Sequence, residues 1–198
     1  MKIRALVLIF LLFFASFYAM DFINKSKEQL SLPKIKEQVE IKSGDLVFRK
    51  ENSIISQMFS KIDESAYSHL AIALNIEDDV KLYHLEATED EDDLKIQSVA
   101  DFVTGAEKIA VYRFKDEINE TKLKEILDEF IKNKPKFDFD FSLENENLYC
   151  TEFINEVFLK LNDKAIYSYL YDFYGKKGIS INSILQNPDF EKRYEIEF

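Results

Sequence analysis

The chain is 198 residues long, 46% hydrophobic and 32% charged, with 37 acidic against 26 basic side chains, a net charge of −11. Such a surface repels phosphate backbones and excludes a nucleic-acid partner, and four glycines and three prolines exclude collagen-like or linker-rich chains. The single cysteine, Cys150, excludes an intrachain disulfide framework and a Cys-based zinc cluster.

At the N-terminus, Lys2 and Arg4 precede an apolar run, residues 5–20, broken only by Ser16. A charged start followed by an apolar stretch is the export signature, and the charges favour a cytoplasmic N-terminus. The run is short of the ~20 residues that span a bilayer. Phe17 occupies a position where a cleavage site wants a small residue. Residues 1–20 are therefore read as a signal peptide or signal anchor, placing the rest outside the cytoplasm, periplasmic or membrane-anchored. Residues 21–42 are polar and read as a stalk with a short helix. Residues 43–198 suit one domain.

Ser43-Gly44-Asp45 predicts a turn and Leu46–Arg49 a strand. Asn52 is placed to cap a helix running through Phe59. Tyr67–Leu74 and Val80–Ala87 form a hairpin around a polar tip, and Lys108–Phe114 is a further strand. Asn119–Lys132 is an amphipathic helix with Leu123, Ile126, Leu127, Phe130 and Ile131 inward. Leu148–Leu161 is a second, buried helix. A short helix near Ile181–Leu185 and a strand near Arg193–Phe198 complete the chain. Strands cluster early without βαβ alternation, which makes the class α+β.

The chemistry-bearing residues converge on the hairpin. Both histidines, His69 and His84, lie there. With a two-residue turn at Glu77-Asp78, His69 falls opposite Glu86 and His84 opposite Ala71, all on one face. The small Ala71 and Ala73 would let a helix pack closely on that face, and the helix that begins at Cys150 is the natural occupant. A cysteine in the first turn of a helix feels the positive end of its dipole, which favours thiolate. An imidazole would activate it and a carboxylate would orient the imidazole. Cys150, His69 and Glu86 supply those roles. Glu144, Glu146 and Glu152 flank the cysteine and oppose thiolate formation.

Five blocks, GDLVFRKENS at 44–53, YSHLAIAL at 67–74, YHLEAT at 83–88, FDFDFSL at 137–143 and LYCTEF at 148–153, come in that order. Together they resemble the YiiX-like branch of the circularly permuted NlpC/P60 superfamily, over residues 43 to 198. The resemblance implies a papain-like fold, with an antiparallel sheet packed against the cysteine helix. It also implies attack of Cys150 on an acyl carbon, with His69 as base and Glu86 as third residue. The Cys150 N–H would serve as oxyanion donor. Lecithin retinol acyltransferase-like relatives carry a histidine on the second strand, so His84 competes with Glu86 for the orienting role or contacts substrate. Tyr67 and Asp45, beside matched residues, are further candidates for substrate contact; otherwise Tyr67 packs and Asp45 shapes the turn.

The resulting expectation is an exported cysteine amidase or peptidase acting on a peptide or amide, with cell-wall peptides one possibility. Acyl transfer on membrane lipids is the second chemistry. A metal site of His69, His84 and Glu86 is a third reading, geometrically reasonable for zinc. A non-catalytic module on an inherited fold is the fourth. The thiol mechanism calls for no cofactor. The acidic run Glu89–Asp93 reads as a solvated loop, lacking the glycine and final glutamate of an EF-hand. The aromatic run 167–174 reads as a packed segment or a cleft wall.

Overall fold

The computed structural model describes residues 40–51, 64–77, 79–87, 93–173 and 175–198. The leader, most of the stalk and the helix expected after Asn52 lie outside these residues. None of the described helices is long and apolar enough to cross a membrane.

Among the described residues, eight strands and four helices follow in order: β1 (Leu46–Glu51), β2 (His69–Ile76), β3 (Asp79–Leu85), β4 (Leu94–Ser98), α1 (Val99–Val103), β5 (Ala106–Phe114), α2 (Glu120–Asn133), α3 (Cys150–Asn162), β6 (Tyr171–Phe173), β7 (Lys176–Gly178), α4 (Ile181–Leu185) and β8 (Phe190–Glu197). Six strands form one antiparallel sheet in the order β4-β3-β2-β1-β5-β8, and β6 and β7 make a separate hairpin. The fold is the expected α+β, papain-like arrangement of an antiparallel sheet with helices laid upon it.

The β2–β3 register has Ile76 opposite Asp79 and Ile72 opposite Tyr83, which is the register of a two-residue tip. Glu77, the first tip residue, takes the left-handed conformation such a turn requires (φ 49°). Asn119 caps α2 by accepting the Lys122 N–H at 3.0 Å, and Lys134 closes it in the left-handed region. Leu123, Ile126, Leu127 and Phe130 of α2 are buried as expected, whereas Ile131 is exposed because the inward stripe passes it by.

Each face of the sheet has its own core. Leu46, Phe48, Leu70, Ile72, Leu74, Tyr83 and Leu85 pack with Leu123 and Leu127 of α2 and Phe153, Val157 and Phe158 of α3. Val47, Ala71, Ala73, Leu82, Ile109 and Val111 pack with Val99, Phe102 and Val103 of α1. This corrects one expectation: the cysteine helix covers Leu70, Ile72 and Leu74, and the short α1 covers the alanines. The reason is size. Two long helices bury more area against large interdigitating side chains, while alanines let the Phe102 ring approach the strands.

Three elements were not expected. β4 and α1 are five residues each, too short to display a period, and the β6–β7 hairpin, three residues per strand, has its first strand in the aromatic run and its second beyond it. The acidic run is also not wholly a solvated loop. Its last residue, Asp93, is buried, and its carboxylate accepts the Phe137 N–H at 2.8 Å.

Candidate active site

His69 opens β2 and sits opposite Arg49 of β1. Strand alternation turns His69 to the same face as Ala71, and His84 to that face from β3. Phe102 of α1 closes over both, its ring centroid 5.9 Å from that of His69 and 5.1 Å from that of His84. The two imidazoles are joined directly, His69 Nε2 to His84 Nδ1 at 2.8 Å, and His84 Nε2 reaches Gln97 Oε1 at 3.0 Å.

This chain of contacts sets the tautomers. An amide oxygen only accepts, so His84 Nε2 carries a proton and, in the neutral ring, its Nδ1 is bare. Bare Nδ1 accepts from His69 Nε2–H, which leaves the lone pair of His69 on Nδ1. That nitrogen is the basic one. Burial first, then neighbouring charge, holds His69 well below its ordinary pKa, and burial with the Arg49 charge lowers His84 to about 4. Both rings are therefore neutral at physiological pH.

Arg49 is the residue that motif reading missed. Its buried guanidinium lies 4.5 Å over the Phe102 ring, donates to the Phe102 carbonyl at 3.0 Å, and pairs with Glu51 at 2.9 Å and Glu86 at 3.2 Å. Its place in β1, two residues after the inward Val47, marks it as facing the histidines. Gln97 has the same kind of signature, being opposite Leu82 in the β3–β4 register. Burial raises the pKa of Glu86, against the lowering pull of Arg49.

The structure thus gathers His69, His84 and Glu86 so closely that one ligating atom from each lies within 4.8 Å of the others. The hydrogen bond to His69 comes from His84, and Glu86 stands 3.7 Å from His84 Nδ1 while bound to Arg49. The three residues expected to contact substrate are placed otherwise. His84, Asp45 and Tyr67 are 0, 1 and 2% exposed, which denies them to a ligand at the surface. Asp45 instead takes both arms of Arg113, at 2.8 and 2.7 Å, and the Lys42 N–H at 2.8 Å. Tyr67 gives its hydroxyl to Glu195 of β8.

Cys150, a half-buried thiol, is the first residue of α3. Both residues beside it are tied to the backbone of one residue, Ile179. The Tyr149 phenol accepts the Ile179 N–H at 2.5 Å, and the Thr151 hydroxyl donates to the Ile179 carbonyl at 2.6 Å. Tyr149 and Thr151 are buried, so the thiol sits on a braced turn.

Comparison with known proteins identifies the family and the fold. Residues 40–192 match the model of a family described as permuted papain-like amidase enzyme, YaeF/YiiX, C92 family. The crystal structure of the metalloprotein YiiX from Escherichia coli O157:H7 superimposes with a TM-score of 0.68 at 15% identity, covering 81% of this chain and all of that one. No curated protein matches the sequence.

Proposed function

The chain belongs to the YaeF/YiiX family of permuted papain-like amidases, and from that premise we propose that Cys150, His69 and His84 form its catalytic group. Membership makes the protein an amidase of the cysteine kind. The observation that carries the assignment is that Cys150 is the only cysteine, and it opens a helix. A cysteine amidase with one cysteine has one candidate nucleophile.

In this reading His69 Nδ1 takes the thiol proton as the sulfur attacks the amide carbon. The oxyanion is met by N–H groups at the start of α3, which have no carbonyl partner within the helix. Collapse expels the amine, which leaves with the proton held on His69, and a thioester on Cys150 remains. Water, deprotonated by the same nitrogen, then releases the acid and restores the thiol. His84 holds the working tautomer of His69, the role the sequence had given to Glu86. Glu86 and Arg49 hold the pair in place. The leader pattern, Lys2 and Arg4 before an apolar run, supports action outside the cytoplasm, where peptides of the cell wall are one source of amides.

The test is mass spectrometry of the leader-free protein mixed with peptide amides and, separately, with acyl lipids. An acyl adduct on Cys150, absent from Cys150→Ala together with turnover, supports the assignment. Turnover that survives Cys150→Ala overturns it. Which substrate class leaves the adduct separates amide hydrolysis from lipid acyl transfer.

One observation favours a second reading. His69, His84 and Glu86 offer two nitrogens and a carboxylate oxygen within 4.8 Å, a donor set suited to zinc. The related YiiX structure is described as that of a metalloprotein. Zinc bound equally by wild type and Cys150→Ser, with activity lost to chelator and kept by Cys150→Ser, would favour this reading.

A further inference from the structure

We propose that the exposed aromatic face formed by residues 137–141 and the β6–β7 hairpin is a lipid-docking surface, which seats the domain on the interfacial zone of a bilayer. The inference goes beyond the amidase reading and does not depend on Cys150. It rests on the leader reading in one respect, that the leader brings the domain to a membrane.

Among the described residues five large apolar side chains are exposed: Ile96, Ile131, Phe139, Tyr169 and Leu170. The last three belong to one region. Phe139 is 75% exposed, and its ring lies 5.1 Å from that of Phe137. Phe137 leads to Phe141 at 6.1 Å, and Phe141 to Phe173 of β6 at 6.2 Å. Asp140 and Lys176 of β7 link the same two segments again, at 3.4 Å. Tyr169 and Leu170 run directly into Tyr171, whose ring is 5.0 Å from Phe173. Apolar residues scattered singly are ordinary, whereas a continuous exposed face marks a partner.

Phe139 is held outward by its neighbours. The buried Asp138 carboxylate accepts the Asp140 and Ser142 N–H groups, each at 2.8 Å. Phe141, between them, takes the left-handed conformation (φ 49°), which is uncommon for so bulky a side chain. Strain of that kind persists only where surrounding bonds fix it, and it collects at functional segments.

The make-up of the face selects lipid as its occupant. Interfacial belts pair aromatic rings with lysines whose stems lie along the apolar zone and whose amines reach the headgroups. Here Lys136 precedes Phe137, and Lys176 and Lys177 stand on β7. These two lysines pair with Asp140 at 3.4 Å and Asp172 at 3.2 Å, so the face is balanced in charge on a chain of net charge −11. A balanced apolar face meets a zwitterionic bilayer without repulsion, whereas a second copy would bring two acidic surfaces together. Residues 21–39, between the apolar run and the domain, reach at most about 65 Å, more than the ~40 Å width of a domain this size. The tether therefore leaves this face free to turn to the membrane. Because the Tyr149 ring lies 5.3 Å from Phe141, docking also brings the start of α3 towards the lipid.

The chain contains no tryptophan, so Phe139→Trp, Tyr169→Trp and Arg193→Trp each supply a single fluorescent reporter. Arg193 is exposed on β8, the sheet edge opposite β4, while Phe137 is bonded to Asp93 beside β4. The experiment is emission and quenching of the full-length variants reconstituted with phosphatidylcholine vesicles. Iodide quenches from the water, and phosphatidylcholine brominated in the upper acyl chain quenches at the ~5–10 Å depth of an interfacial face. Reporters at 139 and 169 should shift to the blue, be quenched by brominated lipid and be shielded from iodide. The reporter at 193 should show the reverse. Vesicle-bound protein in which 139 is as open to iodide as 193 overturns the proposal alone. So does lipid quenching that is equal at all three positions. Shielding at 139 without lipid quenching means that protein covers the face, as in a second copy, and overturns it too. Protein that stays out of the vesicle fraction overturns the leader as an anchor and this proposal with it. Turnover plays no part in these measurements, so the Cys150 assignment stands or falls separately.

Discussion

The face of the sheet under α2 and α3 is filled by Leu70, Ile72 and Leu74, and the face under α1 by Ala71, Ala73 and two imidazoles. β2 supplies Leu70, Ile72 and Leu74 to one face and His69, Ala71 and Ala73 to the other from alternate positions, and β3 adds His84. The first face carries the bulk of the apolar core and so the stability. The second gives up area to hold a buried His–His–Gln chain and a buried arginine, which cost desolvation and return a defined tautomer. Buried polar chemistry and the larger apolar core are thereby assigned to opposite sides of the same backbone, with Cys150 packed against the larger core at the start of α3.

The sharpest way to break that division is at His84. With Ala in its place, His69 Nε2–H loses its acceptor and nothing fixes the basic nitrogen on Nδ1. Turnover should fall by about 10²–10⁴-fold, the range seen when an orienting partner is lost. Alkylation at high pH, where the thiol ionises unaided, should stay near wild type. Equal loss in both assays would mean that His84 is structural and not orienting.

Phe158→Ala strikes the other face. The ring is fully buried, stacked edge-on with Phe114 at 5.3 Å and near Phe190 at 5.5 Å. Its removal should cost about 3–5 kcal/mol in urea unfolding. The alkylation profile of the folded fraction should not change. If it does, the two faces are coupled more tightly than the separate cores imply.

Much of this division is legible from residues alone. Alternation in β2 and the two-residue tip place His69, His84 and Glu86 on one face, and the observed pairing of Ile72 with Tyr83 follows the same count. What alternation cannot supply is which helix covers which face. Both sets of β2 residues are apolar, so the choice depends on how side-chain volume matches α1 or α3, a property of the packed pair. Nor can it rank Glu86 against His84. Both face the same way, and the preference is decided by Arg49, which draws Glu86 Oε1 to 3.2 Å and leaves His84 to meet His69. Buried Tyr67 and Asp45 stand beside motif residues because they hold the strands in place, one through Glu195 and the other through Arg113.

The faces also differ in their response to acid. His84 titrates at about 4 when folded and near 6.5 when unfolded, so the unfolded chain takes up its proton first. Stability from this group is complete above pH 6.5 and is lost as pH falls towards 4, on the order of 3 kcal/mol. Glu152 has the opposite sign. Its folded pKa is about 7 against 4.5 unfolded, so its stability is complete below 4.5 and is lost as pH rises to 7. The two partly cancel in wild type. Urea midpoints measured with chelator between pH 4 and 7 should therefore rise more steeply with pH in Glu152→Gln than in wild type. A steeper fall instead would reverse the sign assigned to Glu152.

The smallest expected effect separates space from backbone strain around the braced turn. A Cβ at Gly178 would lie 2.7 Å from the Phe173 ring and 2.8 Å from the Tyr149 hydroxyl oxygen. The phenol that holds Ile179 would have to move, so Gly178→Ala should cost about 1–3 kcal/mol, as overpacking does. It should also slow Cys150 alkylation, because one tether of its turn is loosened. Gly105 is the reverse case: a Cβ there meets nothing within 4 Å, but φ is +74°. Gly105→Ala should cost about 1 kcal/mol through the left-handed backbone alone, with the alkylation rate unchanged. Slower alkylation in both variants would show that the thiol senses overall stability and not the Tyr149 tether. Slower alkylation in Gly178→Ala alone ties the reactivity of Cys150 to the bracing of its turn.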